Sequence, residues 1–328
     1  MSDSQSHVTI LIGGAVITID RERRLLDPGA VAIRGERVIA VGERDAISRQ
    51  YPGATVVRLE HHVILPGLVD SHGHAGHGLI KGIADGADHR WPRMIGDIYS
   101  HATDEEFWRA ESFLSALERF EYGVTTSLSM TGSAPRIDDP RYAVAAAAGY
   151  GELGLRHTVA LGPPDPPWPQ HYRNVEADTE LEVDLDHAFQ TVSDTIDQLH
   201  GSYDGRISVS VAPSGLVPEM SDGRATDFAV RQMRTAVELA DARDVGLHAH
   251  ARAGQIRAAA ESVPEILSPR LTLAHCAGIT LDEARLMAEA GVSASHGPLT
   301  HAFASARFPL IEALDAGVNV AISTDGSA

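Results

Sequence analysis

The chain has 328 residues, 43% of them hydrophobic and 22% charged, enough to bury a full core and long enough for one large domain plus a smaller one. A formal charge of −18 argues against nucleic acid or an anionic membrane as partner, since both would be repelled. A single cysteine, Cys276, excludes an intramolecular disulfide, and the polar start from Met1 to His7 lacks an apolar targeting core, so the expectation is a cytoplasmic protein.

Val8–Ile19, Ala30–Val41 and Thr55–Leu65 are rich in β-branched residues and broken by Gly-, Pro- and Asp-containing turns. They predict a small β-sheet module with a hairpin near Gly35. Next comes an apolar run, Val63–Val69, read as a buried strand that ends in Asp70-Ser71-His72-Gly73-His74. Alternate residues of a strand share a face, so His72 and His74 can close on one ion. With 17 histidines in the chain about one His-x-His arises by chance, so context has to carry that inference.

Beyond His74 strands alternate with helical stretches, the mark of a parallel sheet with helices outside. Thr103, with Glu106 completing a capping box, predicts a helix through Tyr122. A strand over Val124–Met130, an alanine-rich helix over Pro140–Gly154 and a strand over Leu155–Leu161 follow. Helix Leu185–His200 leads to strand Arg206–Ala212, and helix Thr226–Arg243 to strand Val245–His250. Then come helix Arg252–Ser262, strand Arg270–His275, helix Leu281–Ala290, strand Gly291–His296, helix Ala306–Ala316 and strand Val318–Asp325. Eight strands over residues 64–325 match the ~250 residues of a (β/α)8 barrel. The fold class is therefore α/β, a TIM-type barrel at 64–328 preceded by a small β-sandwich module at 1–63. His72, His74, His248, His250, His275, His296 and Asp325 all fall at strand C-termini, where barrel enzymes place their chemistry. The stiff segment Gly162-Pro163-Pro164-Asp165-Pro166-Pro167-Trp168-Pro169 is a candidate pocket wall.

With those residues assembled, the chain resembles the amidohydrolase superfamily, in its cytosine deaminase-like and triazine hydrolase-like branch. Val63–His74 resembles the strand-one metal motif, and Gly123-Val124-Thr125-Thr126, Gly246-Leu247-His248-Ala249-His250, Leu273-Ala274-His275-Cys276 and Ser323-Thr324-Asp325-Gly326 follow in the family's order. The resemblance implies one divalent metal, Zn2+ or else Fe2+, held by His72, His74, His250 and Asp325. It implies catalytic roles for Asp325, as acceptor of a water proton, and for His275, as hydrogen-bond partner of substrate or water. His248, His296, Trp91 and Trp168 are the candidates for substrate binding, with His77 and His301 as further histidines near the mouth. Two-metal relatives bridge their ions with a carboxylated lysine; the single lysine, Lys81, follows strand one, so a mononuclear site is expected.

The sequence departs from the family pattern in three places. Ring deaminases of this branch carry a glutamate three residues after the strand-five histidine, whereas this chain has Ala253. Strand four ends in Ala212-Pro213-Ser214-Gly215, without the histidine many relatives have there. Relatives also continue beyond strand eight to complete the small sandwich, so the sequence reads as truncated after that strand, lacking the C-terminal complement of the module. The resulting expectation is a metal-dependent amidohydrolase that attacks a small amide, urea, carbamate or related C–N bond with activated water. The alternatives are a deaminase or dechlorinase of a heteroaromatic ring, and a non-catalytic metal-binding relative. A homodimer or higher homo-oligomer is usual for such proteins.

Overall fold

A computed structural model describes residues 7–83, 90–131, 136–303 and 307–326, the side chains of Trp91, Pro92 and Phe303 apart. The chain forms two compact units, Met1–Gly67 and Leu68–Ala328.

In the first unit, β1 (Val8–Ile17), β2 (Leu25–Leu26), β3 (Gly29–Arg34), β4 (Arg37–Glu43) and β5 (Thr55–Ile64) make one sheet in the order β2-β1-β3-β4, with β5 parallel to β1. The β3–β4 hairpin turns at Gly35, whose φ of 56° is open to glycine without steric cost. Ile10, Ile12, Ala30, Ala32 and Ile47 form the buried core of this unit.

The second unit opens with β6 (Leu68–Ala75). The run Val63–Val69 is therefore not one strand. Pro66 has no N–H to give to a ladder, so β5 ends at Ile64 and β6 starts after Gly67. The chain continues through β7 (Val124–Thr131), β8 (Arg156–Leu161), the hairpin β9 (Gln170–Asn174) and β10 (Thr179–Val183), and β11 (Ile207–Val211). After the two-residue pair β12 (Met220–Ser221) and β13 (Arg224–Ala225) come β14 (Gly246–Arg252), β15 (Leu271–Ala277), β16 (Ser293–His296) and β17 (Asn319–Ile322). Eight of these form a parallel sheet, β6-β7-β8-β11-β14-β15-β16-β17. A bridge between Gly73 and Asp325, and a hydrogen bond from Asp325 N to His72 O at 3.0 Å, bring the last strand back to the first. The result is a nearly closed (β/α)8 barrel.

Helices Glu105–Glu121, Pro140–Leu153, Leu185–Leu199, Asp227–Arg243, Gln255–Ser262 and Leu281–Ala290 turn apolar faces to this sheet. The cap at the first of these is Asp104, whose carboxylate accepts Phe107 N–H. Thr103, expected in that role, instead donates to Tyr99 O and receives Trp108 Nε1–H, tying the preceding helix Trp91–His101 to this one. The capping box appears at Thr280–Glu283. Gly149 lets the alanine-rich helix approach its neighbour, since a Cβ there would stand 2.3 Å from Phe113 N. The expected helix Ala306–Ala316 is shorter, Leu310–Asp315, and begins after Pro309; a separate short helix covers Pro298–Phe303.

Candidate metal centre

Alternation along β6 turns His72 and His74 to the same side, and β14 does the same for His248 and His250. His72 and His74 both aim Nε2 at one carboxylate oxygen, Asp325 Oδ1, at 3.3 and 3.2 Å. His250 Nε2 lies 3.4 Å from His74 Nε2, and His275 Nδ1 lies 3.8 Å from Asp325 Oδ2. Two trios, His72/His74/His250 and His72/His275/Asp325, each bring one ligand atom per residue within 4.8 Å of the others.

The surroundings fix which nitrogen each ring offers. His250 Nδ1 donates to Ser214 O at 2.7 Å, which leaves Nε2 as the lone pair turned to His74. His72 Nδ1 meets His248 Nε2 at 2.9 Å, while its buried Nε2 has only the Asp325 carboxylate in front of it, at 3.3 Å. Two Nε2 atoms facing each other and two imidazole nitrogens converging on one carboxylate oxygen are what a divalent cation reconciles. The donor set of imidazoles and one carboxylate fits such an ion.

Three residues of the site carry backbone strain. His275, Cys276 and Asp325 hold φ of 66°, 48° and 58°, a region costly for residues with a Cβ. What holds Asp325 is Asp70, buried two residues before His72. Its Oδ1 accepts Thr324 N–H at 3.0 Å, and its Oδ2 accepts Thr324 Oγ1–H at 2.8 Å and Arg119 Nη2–H at 3.1 Å. Arg119 in turn runs so close to β6 that a Cβ on Gly73 would stand 2.9 Å from its Nη2.

Burial governs the electrostatics. Desolvation holds His72, His248 and His250 below the ordinary imidazole value and takes His275 down to about 4, so neutral rings are available as ligands. Burial opposes the Asp325 charge, but the His72 and His74 rings outweigh it and hold the carboxylate well below its usual range. His77, on the loop after β6, stacks on His74 with ring centres 5.3 Å apart, hydrogen-bonds Tyr99 Oη and is lowered by burial to about 3.

The structure thus brings together His72, His74, His250, His275 and Asp325. His248 is 0% exposed and its Nε2 is against His72 Nδ1, which gives it no surface for a substrate. His296 is half-buried, 5.1 Å from the ring of His301, which is itself 5.8 Å from His275. Trp168 packs against the main barrel core. The side chain of Trp91 lies outside the described residues. Lys81 pairs with Glu118 at 2.7 Å, away from the ligands. The Asp70–Arg119 pair and the Ser214 carbonyl were not anticipated. The register of β6 shifts between Asp70 and Gly73, so plain alternation does not say which way Asp70 turns, and Arg119 lies in an ordinary helical stretch. At strand four the missing histidine side chain is accompanied by a backbone role: Ser214 O orients His250, and Gly215 pairs with it.

Among known proteins, residues 63–328 match the model of the "Amidohydrolase family", and residues 29–54 match that of an "Imidazolonepropionase-like composite domain, bacteria". A 5-methylthioadenosine/S-adenosylhomocysteine deaminase of Nitratidesulfovibrio vulgaris is 29% identical over 98% of this chain and 69% of its own length. The enzyme of the same name from Syntrophobacter fumaroxidans is 28% identical over 97% and 69%. A mutant atrazine chlorohydrolase of Arthrobacter aurescens TC1, solved with zinc and atraton, shares the fold with a TM-score of 0.74 at 22% identity, covering 98% of this chain and 72% of that one. An adenosine deaminase of Xanthomonas campestris with bound zinc does so with a TM-score of 0.74 at 23% identity, over 98% and 69%.

Proposed function

Since the chain belongs to the amidohydrolase family, we propose that it is a mononuclear zinc hydrolase that cleaves a C–N bond of a small, uncharged molecule with water. The observation that carries this reading is the convergence of His72 and His74 Nε2 on Asp325 Oδ1, with His250 Nε2 facing His74 Nε2. His72, His74, His250 and Asp325 would hold the ion. When bound, the ion supplies Lewis acidity and draws the pKa of a water molecule down toward ~7.

The chain's own groups perform the proton work. Asp325 Oδ1 faces the ligand nitrogens, leaving Oδ2 to take a proton from water and deliver it to the departing nitrogen. His275, kept neutral by burial and 3.8 Å from Oδ2, donates or accepts a hydrogen bond at the substrate atom on which charge develops. His248 holds the His72 ring. With Lys81 engaged by Glu118, the chain has no lysine to bridge a second ion.

The relatives favour a second reading within the same chemistry, deamination of a heteroaromatic ring such as a purine nucleoside. Against it stands Ala253, whose backbone N–H is bonded to Ala277 O and whose side chain can move no proton. The deciding experiment is elemental analysis of purified protein and an Asp325→Ala variant, followed by a turnover panel of amides, ureas, 5-methylthioadenosine and adenosine. About one zinc per chain, lost in the variant, with amide or urea cleavage supports the first reading. Ammonia released from the nucleosides selects the second, and no metal in either protein refutes both. No helix among the described residues is long and apolar enough to cross a membrane. A cytoplasmic homo-oligomer is our reading of the setting, supported by the lone buried cysteine and the habit of the family.

A further inference from the structure

We propose that His301, together with His296, forms the anchor for an uncharged hydrogen-bonding part of the substrate beside His275. His301 stands on the short helix Pro298–Phe303 that follows β16, with its ring 5.8 Å from that of His275 and 5.1 Å from that of His296. Phe308 lies 5.2 Å from His296 and 6.5 Å from His301. His301 is only 6% exposed, yet neither of its ring nitrogens has a hydrogen-bond partner among the described residues. The same holds for His296 Nδ1 and Ser323 Oγ.

Buried polar atoms left unmatched are costly, so a group of them beside His275 points to a polar guest that completes their hydrogen bonds. A second cation is not the ligand these atoms suit. Among the described residues both trios able to share an ion contain His72, and neither contains His301 or His296. An anion is not suited either, since burial keeps His296 and His301 neutral and Asp325 is the charge that His301 feels. A neutral imidazole offers one N–H and one lone pair. Its complement is a group carrying an acceptor next to a donor, as in an amide, a urea or the edge of an amino-substituted ring. This inference rests on the hydrolase reading above and locates the part of the substrate that is held while the C–N bond breaks.

The test titrates zinc-loaded protein with two uncharged probes, phenylurea and 5-methylthioadenosine, by calorimetry. Wild type, His301→Ala, His301→Gln and His296→Ala are compared, with metal content measured on every sample. The expected result is about tenfold weaker binding of the preferred probe by His301→Ala at unchanged metal content, the scale of one lost hydrogen bond with its partner left unmatched. His301→Gln, which keeps a donor and an acceptor, should recover to within about threefold of wild type. Equal binding by wild type and His301→Ala overturns the anchor and leaves the hydrolase reading standing. Loss of metal in His301→Ala overturns it too, because the residue would then serve the metal centre. Wild type that holds zinc, binds neither probe and turns over no C–N compound refutes both readings together. Should His301→Ala not fold, weakened binding by His296→Ala with retention by His301→Gln supports the anchor, and any other pattern from that pair rejects it.

Discussion

Asp70→Asn is the substitution that most directly separates the metal centre from its support. Asp70 is 3% exposed and accepts three hydrogen bonds on two oxygens, from Thr324 N, Thr324 Oγ1 and Arg119 Nη2. An asparagine of the same shape has one acceptor oxygen. In one orientation its NH2 faces Thr324 N–H, and in the other it faces the Arg119 guanidinium, so either way donor meets donor. The substitution also leaves Arg119 buried without its counter-charge. Breaking one side of a buried pair costs ~3–5 kcal/mol. Thr324 is adjacent to Asp325, whose φ of 58° persists only while its neighbours hold it, so the metal should be lost along with the stability. Urea unfolding of metal-stripped protein isolates the first effect, with an expected loss of ~3 kcal/mol or more. Competition with a chelator reads the second, with metal affinity down ~10–100-fold, as is usual when a group that orients a ligand is removed. An Asp70→Asn protein within ~0.5 kcal/mol of wild type, holding zinc as tightly, would refute the reasoning.

Three more perturbations follow from the same contacts. His248→Phe keeps the buried ring but removes the Nε2 contact with His72 Nδ1, and should weaken metal binding ~10–100-fold in the same chelator competition. His157 is buried, stacked on Tyr150 with ring centres 3.7 Å apart, and held well below the ordinary value by desolvation and then by the Arg119 charge. The unfolded chain takes up its proton below pH ~6.5 while the folded chain does not, so this stability is present above that pH and drains away as pH falls, by ~1.4 kcal/mol at one unit below. Urea unfolding of metal-free His157→Phe at pH 7.5 and 5.5 should show a loss smaller than wild type's by about that amount, and an equal loss would contradict the assignment. Gly149→Ala puts a methyl group 2.3 Å from Phe113 N, a backbone atom that cannot swing aside, and thermal unfolding should report ~1–3 kcal/mol of destabilisation.

The sequence by itself determined the alternation of strands and helices, and with it the barrel and the strand ends on which His72, His74, His250, His275 and Asp325 stand. Periodicity is a local property, and each of these residues closes an apolar run of its own. What tertiary structure decided is how those residues work together. Two histidines of β14 share one strand face, yet His250 reaches His74 while His248 sits behind His72, because two residues along a strand shift a side chain by ~6.6 Å in depth. The break at Pro66 lay in the sequence but was masked by the apolar residues on both sides. The partnership of Asp70 with Arg119 spans strand and helix, and that of Ser214 with His250 joins the segment after β11 to β14. Both depend on backbone geometry that closing the barrel creates, so composition and spacing carry no trace of them. The unmatched nitrogens of His301 belong to the same class: a histidine in a loop announces nothing until the fold buries it next to His275 and leaves it without a partner.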